Sequence, residues 1–498
     1  MKKYILALDQ GTTSSRAILF SRTGEIVSIA AKDFKQIFPT PGWVEQNPMD
    51  ILESQIDSIK TAVEKENISP KDIAAVGITN QRETVIVWDK KSGKPVCNAI
   101  VWQCRRTADI CENLKSRGLE DFIKNITGLP IDAYFSGTKI KWILDNVPGA
   151  RKKAEAGQLL AGTVDSWLIW NLTGGKHHIT DLSNASRTML FDINKLEYSK
   201  KLCETLNIPI KMLPKVVASS DIYGEIDCDM LPEFKGIPIC SAIGDQQASL
   251  FGQCCFETGD VKNTYGTGCF TLMNIGEKPI LSNNLITTIG WKIGEKIIYA
   301  AEGSVFNAGS SIKWLRDELG IISKPSECDT LAESLEDNGG VYFVSAFTGL
   351  GAPYWDMYAR GTLTGLTRGT GRAHICRAVL EGIAYQVTDL VRAMEKEFSC
   401  PITIIKVDGG ASVSRFLMQF QSNMLSLEVK RPIVTEATAF GAAMLAGLAI
   451  GFWSSTEEIA KMVEDKGYTV FSPEISLAEA DGLYSLWQTA VRRTKSDI

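Results

Sequence analysis

The feature that most limits what this chain can fold into is a hairpin that occurs twice. Tyr4-Ile5-Leu6-Ala7-Leu8 is apolar and β-prone, Asp9 to Ser15 is polar and turn-like, and Ala17-Ile18-Leu19-Phe20 resumes the apolar run. Past the middle of the chain, Val261-Lys262-Asn263-Thr264 meets a Tyr265-Gly266-Thr267-Gly268 turn and returns from Cys269 to Met273. Building one unit twice predicts two related halves, and 498 residues exceed what a single core comfortably holds. Phe251-Gly252 closes a predicted helix, so the boundary is placed there: an N-terminal domain over 1–252 and a C-terminal one over 253–498.

In the first half the pattern continues with a strand over Glu25–Phe34. A helix headed by Pro48 follows, with Ile51, Leu52, Ile56, Ile59 and Val63 on one face, and then a strand over Ile73–Thr79. The second half predicts helices over Ser311–Leu319 and Ala373–Glu397, a strand over Thr403–Val407, and helices over Thr438–Ile450 and Leu477–Thr494. The fold class is therefore α/β. The apolar stretch Ala437 to Trp453, free of charge, is 17 residues and rich in Ala and Gly, which suits a buried helix better than a membrane span of about 20. Gly252 and Gly441 are candidate hinges between the halves.

Charge and composition remove whole classes of function. A net charge of −5 with no dense Lys/Arg stripe speaks against nucleic acid and anionic membranes. Met1-Lys2-Lys3 runs straight into a strand, so no signal peptide is expected. Twelve cysteines without a CxxC pair fit a reducing cytoplasm and small core residues. Three histidines leave little for a His-rich metal site or a Ser-His-Asp triad. Chemistry must rest on carboxylates, hydroxyls, backbone amides and an external metal.

The tip Asp9-Gln10-Gly11-Thr12-Thr13-Ser14-Ser15-Arg16 offers amides, hydroxyl donors and a cation to phosphate oxygens, or is simply a polar turn. It is not a P-loop, since GxxxxGK[ST] is missing from the chain. Thr267 repeats the logic in the second tip, and Asp408-Gly409-Gly410-Ala411-Ser412 follows a strand and precedes a helix, a setting for a nucleotide. Together the three turns predict a nucleotide held between two domains. In Gly244-Asp245-Gln246-Gln247, Asp245 follows the apolar strand Pro238–Ile243. It can accept a proton from an attacking hydroxyl or cap the next helix. Asp9 at a strand end suits Mg²⁺. Arg82 and Glu83 end another strand as donor fork and acceptor for vicinal hydroxyls, or as a surface ion pair. Trp102 and Phe270 are candidate apolar walls or core.

These segments resemble the FGGY carbohydrate kinases of the actin-like ATPase superfamily. ALDQGTTSSRA (7–17), GITNQRET (77–84), IVWQCRRT (100–107), GDQQASLFGQ (244–253), NTYGTGCF (263–270) and FTGLGAPYWD (347–356) carry the likeness across nearly the whole chain. The resemblance implies two ribonuclease-H-like domains around a cleft and ATP-dependent phosphorylation of a small polyol, glycerol, to glycerol 3-phosphate, in glycerol metabolism. It implies that Arg82, Glu83, Tyr134, Asp245 and Gln246 hold the polyol between Trp102 and Phe270, with Asp245 as general base. Thr12, Thr13, Ser14, Arg16 and Thr267 would meet the ATP phosphates, Asp9 and Asp245 the Mg²⁺, and Gly309 and Gly410 the rest of the nucleotide. Lys313 and Ser414, on the nucleotide side, depart from the Gln and Asn of the family pattern. A homo-oligomer, dimer or tetramer, is expected.

Two competing readings are a kinase of another polyol or ketose and an actin-like conformational ATPase. The joint presence of the polyol set and Asp245 opposes both. In some relatives, control uses a phosphorylatable His or an Arg-bearing loop that binds fructose 1,6-bisphosphate. Here Asp221 to Gly236 contains no His or Arg and five carboxylates around Lys235, so neither control is expected.

Overall fold

The computed structural model describes residues 2–433 and 436–496. Thirteen strands form one continuous sheet. In chain order they are β1 (Tyr4–Gln10), β2 (Ser14–Ser21), β3 (Ile26–Asp33), β4 (Ile73–Asn80), β5 (Ser220–Glu225), β6 (Pro238–Gly244), β7 (Val261–Tyr265), β8 (Cys269–Gly276), β9 (Ile286–Ile293), β10 (Lys296–Val305), β11 (Ile404–Asp408), β12 (Glu428–Pro432) and β13 (Tyr468–Phe471). Their spatial order is β13-β12-β11-β7-β8-β10-β9-β5-β6-β4-β1-β2-β3.

The repeat is visible in the pairing. β1 pairs antiparallel with β2 and parallel with β4, and β4 pairs parallel with β6. β7 likewise pairs antiparallel with β8 and parallel with β11, and β11 pairs parallel with β12. The two half-sheets join through one parallel pair, Ser220 with Ile293. β4 is buried at every residue, as a parallel strand covered on both faces must be.

The expected strand and helix sites are all occupied, with shifted ends. The first hairpin is longer than predicted: Asp9 pairs with Arg16 and Gln10 with Ser15, so only Gly11 to Thr13 form the tip. Polar character misplaced the strand end, because Ser15 is buried and shares a hydrogen bond with Ser54 Oγ at 2.9 Å. Helix α1 (Pro48–Lys65) has Asn47 as its N-cap, accepting from Met49 N at 3.0 Å, and buries the predicted face. The helices Ser136–Asn146 and Thr456–Lys466 were not anticipated.

Helix α2 (Asp245–Gly252) packs across α6 (Ala437–Ala449), with α3 (Gly309–Asp317), α4 (Arg372–Phe398) and α5 (Arg415–Leu425) between them in the chain. The two candidate hinges meet here. A Cβ at Gly252 would lie 1.9 Å from Ala437 O, and one at Gly441 2.0 Å from Ala248 O. They form one backbone-to-backbone contact. The uncharged run is thus a buried helix, and among the described residues no helix is long and apolar enough to cross a membrane.

Candidate functional site

The carboxyl ends of β4 and β6 open between the two hairpin tips, and the residues just past them define one wall. Arg82 and Glu83 follow β4 and are 3% and 1% exposed, which rules out a surface ion pair. Glu83 adopts a left-handed backbone, φ 59°, a conformation that non-glycine residues keep only where surrounding structure enforces it. Arg82 lies over Gly244, where a Cβ would meet its Cδ at 2.7 Å.

The guanidinium expected to fork onto substrate instead grips protein. Arg82 Nη1 donates to Glu302 Oε2 (2.5 Å) and Gln247 Oε1 (3.1 Å), and Nη2 to Glu302 Oε1 (3.1 Å) and Tyr134 Oη (3.3 Å). Its Nε lies 3.4 Å from Asp245 Oδ1 and 3.8 Å from Glu83 Oε1. Arg187 completes the arrangement, donating from Nε to Glu83 Oε1 (2.6 Å) and from Nη2 to Glu302 Oε1 (2.9 Å). Burial drives the Glu302 carboxyl upward, but the guanidiniums of Arg187 and Arg82 outweigh it and hold the group at about 2. Two carboxylates and two guanidiniums thereby form a buried, charge-balanced quartet in which Arg187 Nη1 alone is left without a hydrogen-bond partner.

Tyr134 and Trp102 stand beside this quartet, their rings edge to face with centroids 5.6 Å apart. Lys139 is buried and donates to the carbonyls of Tyr134 and Phe135, fixing the segment that carries the phenol. Burial raises the Tyr134 pKa, so the phenol keeps its proton. With its oxygen already accepting from Arg82, that proton is left to donate. Trp102 Nε1 donates to Thr12 Oγ1 at 3.0 Å. Thr12, assigned by resemblance to phosphate, accepts this bond with its hydroxyl oxygen and keeps its own proton to donate. Phe270, half-buried on β8, lies opposite Thr264 in the second hairpin.

The phosphate side is built from backbone. Gly11 N donates to Ser14 O at 2.9 Å and Gly266 N to Gly268 O at 2.9 Å, closing the two tips. Thr13 and Thr267 are exposed and Ser14 half-buried. The start of α3 sits on the second tip: Gly309 N donates to Gly266 O (3.0 Å), and a Cβ there would come within 2.5 Å of that oxygen. Gly409, φ 89°, lies against Tyr265, whereas a Cβ at Gly410 would meet nothing within 4 Å. Gly410 thus fronts open space suited to a ligand. Lys313 is exposed on α3. Ser414 is not free: its hydroxyl caps α5 by accepting from Leu417 N (3.0 Å) and donates to Asp329 (2.6 Å).

Asp9 and Asp245 link the two sides. Asp245 is not a cap; Gly244 is the N-cap of α2 and Asp245 its first residue. Its Oδ1 accepts from Gln246 N at 2.7 Å, and its side chain is one-third exposed. Asp9 is buried at the end of β1, with Arg16 Nε 3.9 Å away; Arg16 Nη1 donates to Glu436 Oε2 at 2.9 Å. Burial raises the Asp9 carboxyl to about 6, Arg16 opposes the shift, and the charges of Glu436 and Asp245 add to it. This excess of negative charge suits a divalent cation. Asp9 and Asp245 fit Mg²⁺, a cation that takes one or two carboxylates and completes its shell with phosphate oxygens and water.

Sequence reading missed Glu302, Arg187, Lys262 and Glu436. Glu302 carried a signal: it is a lone charge inside the apolar stretch of β10. Arg187 and Glu436 had none, because their partners lie 104 and 420 residues away in the chain.

Models of the FGGY family of carbohydrate kinases match residues 4–252 (N-terminal domain) and 261–450 (C-terminal domain). The chain is 59% identical to glycerol kinase 2 of Thermotoga maritima over 99% of both chains, and 58% identical to glycerol kinase of Clostridium perfringens over 99% of both. The crystal structure of Plasmodium falciparum glycerol kinase with ADP superposes with a TM-score of 0.94 at 36% identity, covering 99% of each chain. A xylulose kinase from Lactobacillus acidophilus, at 22% identity and a TM-score of 0.88, shares the fold.

Proposed function

The chain belongs to the FGGY family of carbohydrate kinases, and from that premise we propose how its cleft works. The enzyme phosphorylates glycerol from ATP to give glycerol 3-phosphate. The observation that carries the site assignment is Asp245, which stands between the polyol wall, through Arg82, and the acidic tip, through the field of Asp9.

Glycerol lies between Trp102 and Phe270, within reach of Arg82 Nε, Glu83, Tyr134, Asp245 and Gln246. Asp245 Oδ1 is held by Gln246 N, leaving Oδ2 to take the proton of the attacking hydroxyl. Mg-ATP, when bound, supplies the transferable γ-phosphoryl group and a leaving ADP whose charge the metal offsets. Asp9 and Asp245 would face the metal. Thr12, Thr13, Ser14, Arg16 and Thr267 would hold phosphate oxygens, with Gly309, Gly410 and Lys313 flanking the nucleotide. Ser414 shapes that region only through its helix cap.

We assign the two domains to 1–252 and 253–498, supported by the repeated strand order on each side. A homo-oligomer in the cytoplasm is the remaining assignment, its compartment supported by twelve cysteines without a CxxC pair. A coupled assay with ATP against glycerol, dihydroxyacetone, xylulose and ribulose tests the reading: glycerol is expected to give the highest kcat/KM, and a ketose preference overturns it.

A further inference from the structure

Lys262, on β7, is fully buried at the back of the cleft and takes no part in the scheme above. Its Nζ donates to Gln246 Oε1 at 2.6 Å and to Thr264 Oγ1 at 2.9 Å. Gln246 itself is only half-buried. Its Nε2 has no acceptor among the described residues, yet is not among the buried atoms that lack a partner, so it opens to solvent.

A glutamine amide can present either end to a ligand, and its two ends are told apart only by their neighbours. An ammonium has three donors and no acceptor. The oxygen of Gln246 must therefore face Lys262, in a charge-assisted bond that a desolvated cation needs. Turning the amide over would set its NH₂ against the ammonium.

We infer that Lys262 is a positioning residue that fixes the polarity of the Gln246 amide, so that a donor, and not an acceptor, is presented to the polyol. This rests on the reading that places glycerol at Gln246. A hydroxyl that accepts from Gln246 has its own proton turned away, toward the carboxylates of Glu83 and Asp245. The cleft then alternates donors, Gln246 Nε2 and Tyr134 Oη, with acceptors, which is the pattern that hydroxyls alone can satisfy on every oxygen. Burial lowers the Lys262 pKa to about 8 against the opposing fields of Asp408 and Asp245, so the group is mostly ammonium at neutral pH.

The experiment is a double-mutant cycle on the full chain, with thermal melts to establish folding. Lys262→Met is expected to raise KM for glycerol about tenfold, with kcat and KM for ATP within about twofold. Gln246→Ala is expected to do the same, and the double variant to match Gln246→Ala alone within about twofold, because both changes remove one interaction. Gln246→Glu serves even if Lys262→Met does not fold: the carboxylate keeps the bond to Lys262 but presents no donor, so KM for glycerol should again rise about tenfold. Additive effects in the cycle, a fall in kcat without a rise in KM, or a wild-type KM in Gln246→Glu each overturn the inference. If Gln246→Ala leaves KM unchanged, the placement of glycerol fails as well. If it raises KM while folded Lys262→Met does not, the inference alone fails.

Discussion

On the polyol side of the cleft, Glu83 and Glu302 meet Arg82 and Arg187, so that two negative charges are closed on two positive ones. On the phosphate side, Asp9 and Glu436 share the single guanidinium of Arg16, with Asp245 in the same field. The first arrangement is balanced in charge before any ligand arrives. The second is short of positive charge and reaches balance only with a cation. A charge-balanced wall suits recognition of a neutral polyol, while an unbalanced tip suits capture of a metal that travels with its nucleotide.

Asp245 joins the two sides, and its removal has the largest expected effect. Asp245→Asn should lower kcat by about 10²- to 10⁴-fold while ATP binding, followed by calorimetry, stays nearly intact; a wild-type kcat would reduce Asp245 to a structural role. Next comes the buried quartet. Glu302→Ala leaves two buried guanidiniums with Glu83 as the quartet's one remaining carboxylate and should lower unfolding free energy by about 3–5 kcal/mol, read by denaturant titration at pH 7. Glu302 has its folded pKa held below the ordinary value, so its contribution is present above about pH 4.5 and is lost as pH falls toward about 2.

Asp9 should behave in the opposite sense. Its folded pKa is raised from 3.8 to about 6, so it is neutral in both states at low pH. Stability then falls as pH rises from about 4 to 6, and stays lower above that. Asp9→Asn should therefore raise unfolding free energy by about 2 kcal/mol at pH 8, with no gain at pH 3.5, while weakening Mg²⁺-dependent turnover. A loss of stability at pH 8 would mean that the tip is balanced after all. The smallest expected effect is none: fructose 1,6-bisphosphate across the millimolar range should not inhibit at fixed glycerol and ATP. Lys235 is already paired with Asp227 at 2.7 Å, and saturable inhibition would reveal cations elsewhere that the comparison omits.

What could be read from the sequence were the parts whose reasons are local. Both hairpins, the Pro48 helix and the Gly-rich turn at 408–410 announce themselves through apolar runs and glycines, and Asp245 through the strand before it. What could not be read were commitments made over long distances. Arg82 looked like an open fork because Glu302 lies 220 residues downstream. The bond that Thr12 accepts from Trp102 spans 90 residues. Ser414 was misjudged for a local reason, since a Ser ahead of a helix is an ordinary cap.

The crossing of α2 and α6 at Gly252 and Gly441 gives the cleft a lever. Asp245 and Gln246 sit at the far end of α2, about 10 Å from the glycine contact at 1.5 Å per residue, and Glu436, which holds Arg16, immediately precedes α6. With no side chains between the two helices at the crossing, there is nothing soft to absorb a tilt. Rotating α2 by about 6° around that point carries the carboxylate of Asp245 through about 1 Å, a displacement that can cost about 10²-fold in rate. The fulcrum of the catalytic arm is thus a pair of residues that never approach the substrate, and a single added methyl at either would shift the arm's reach.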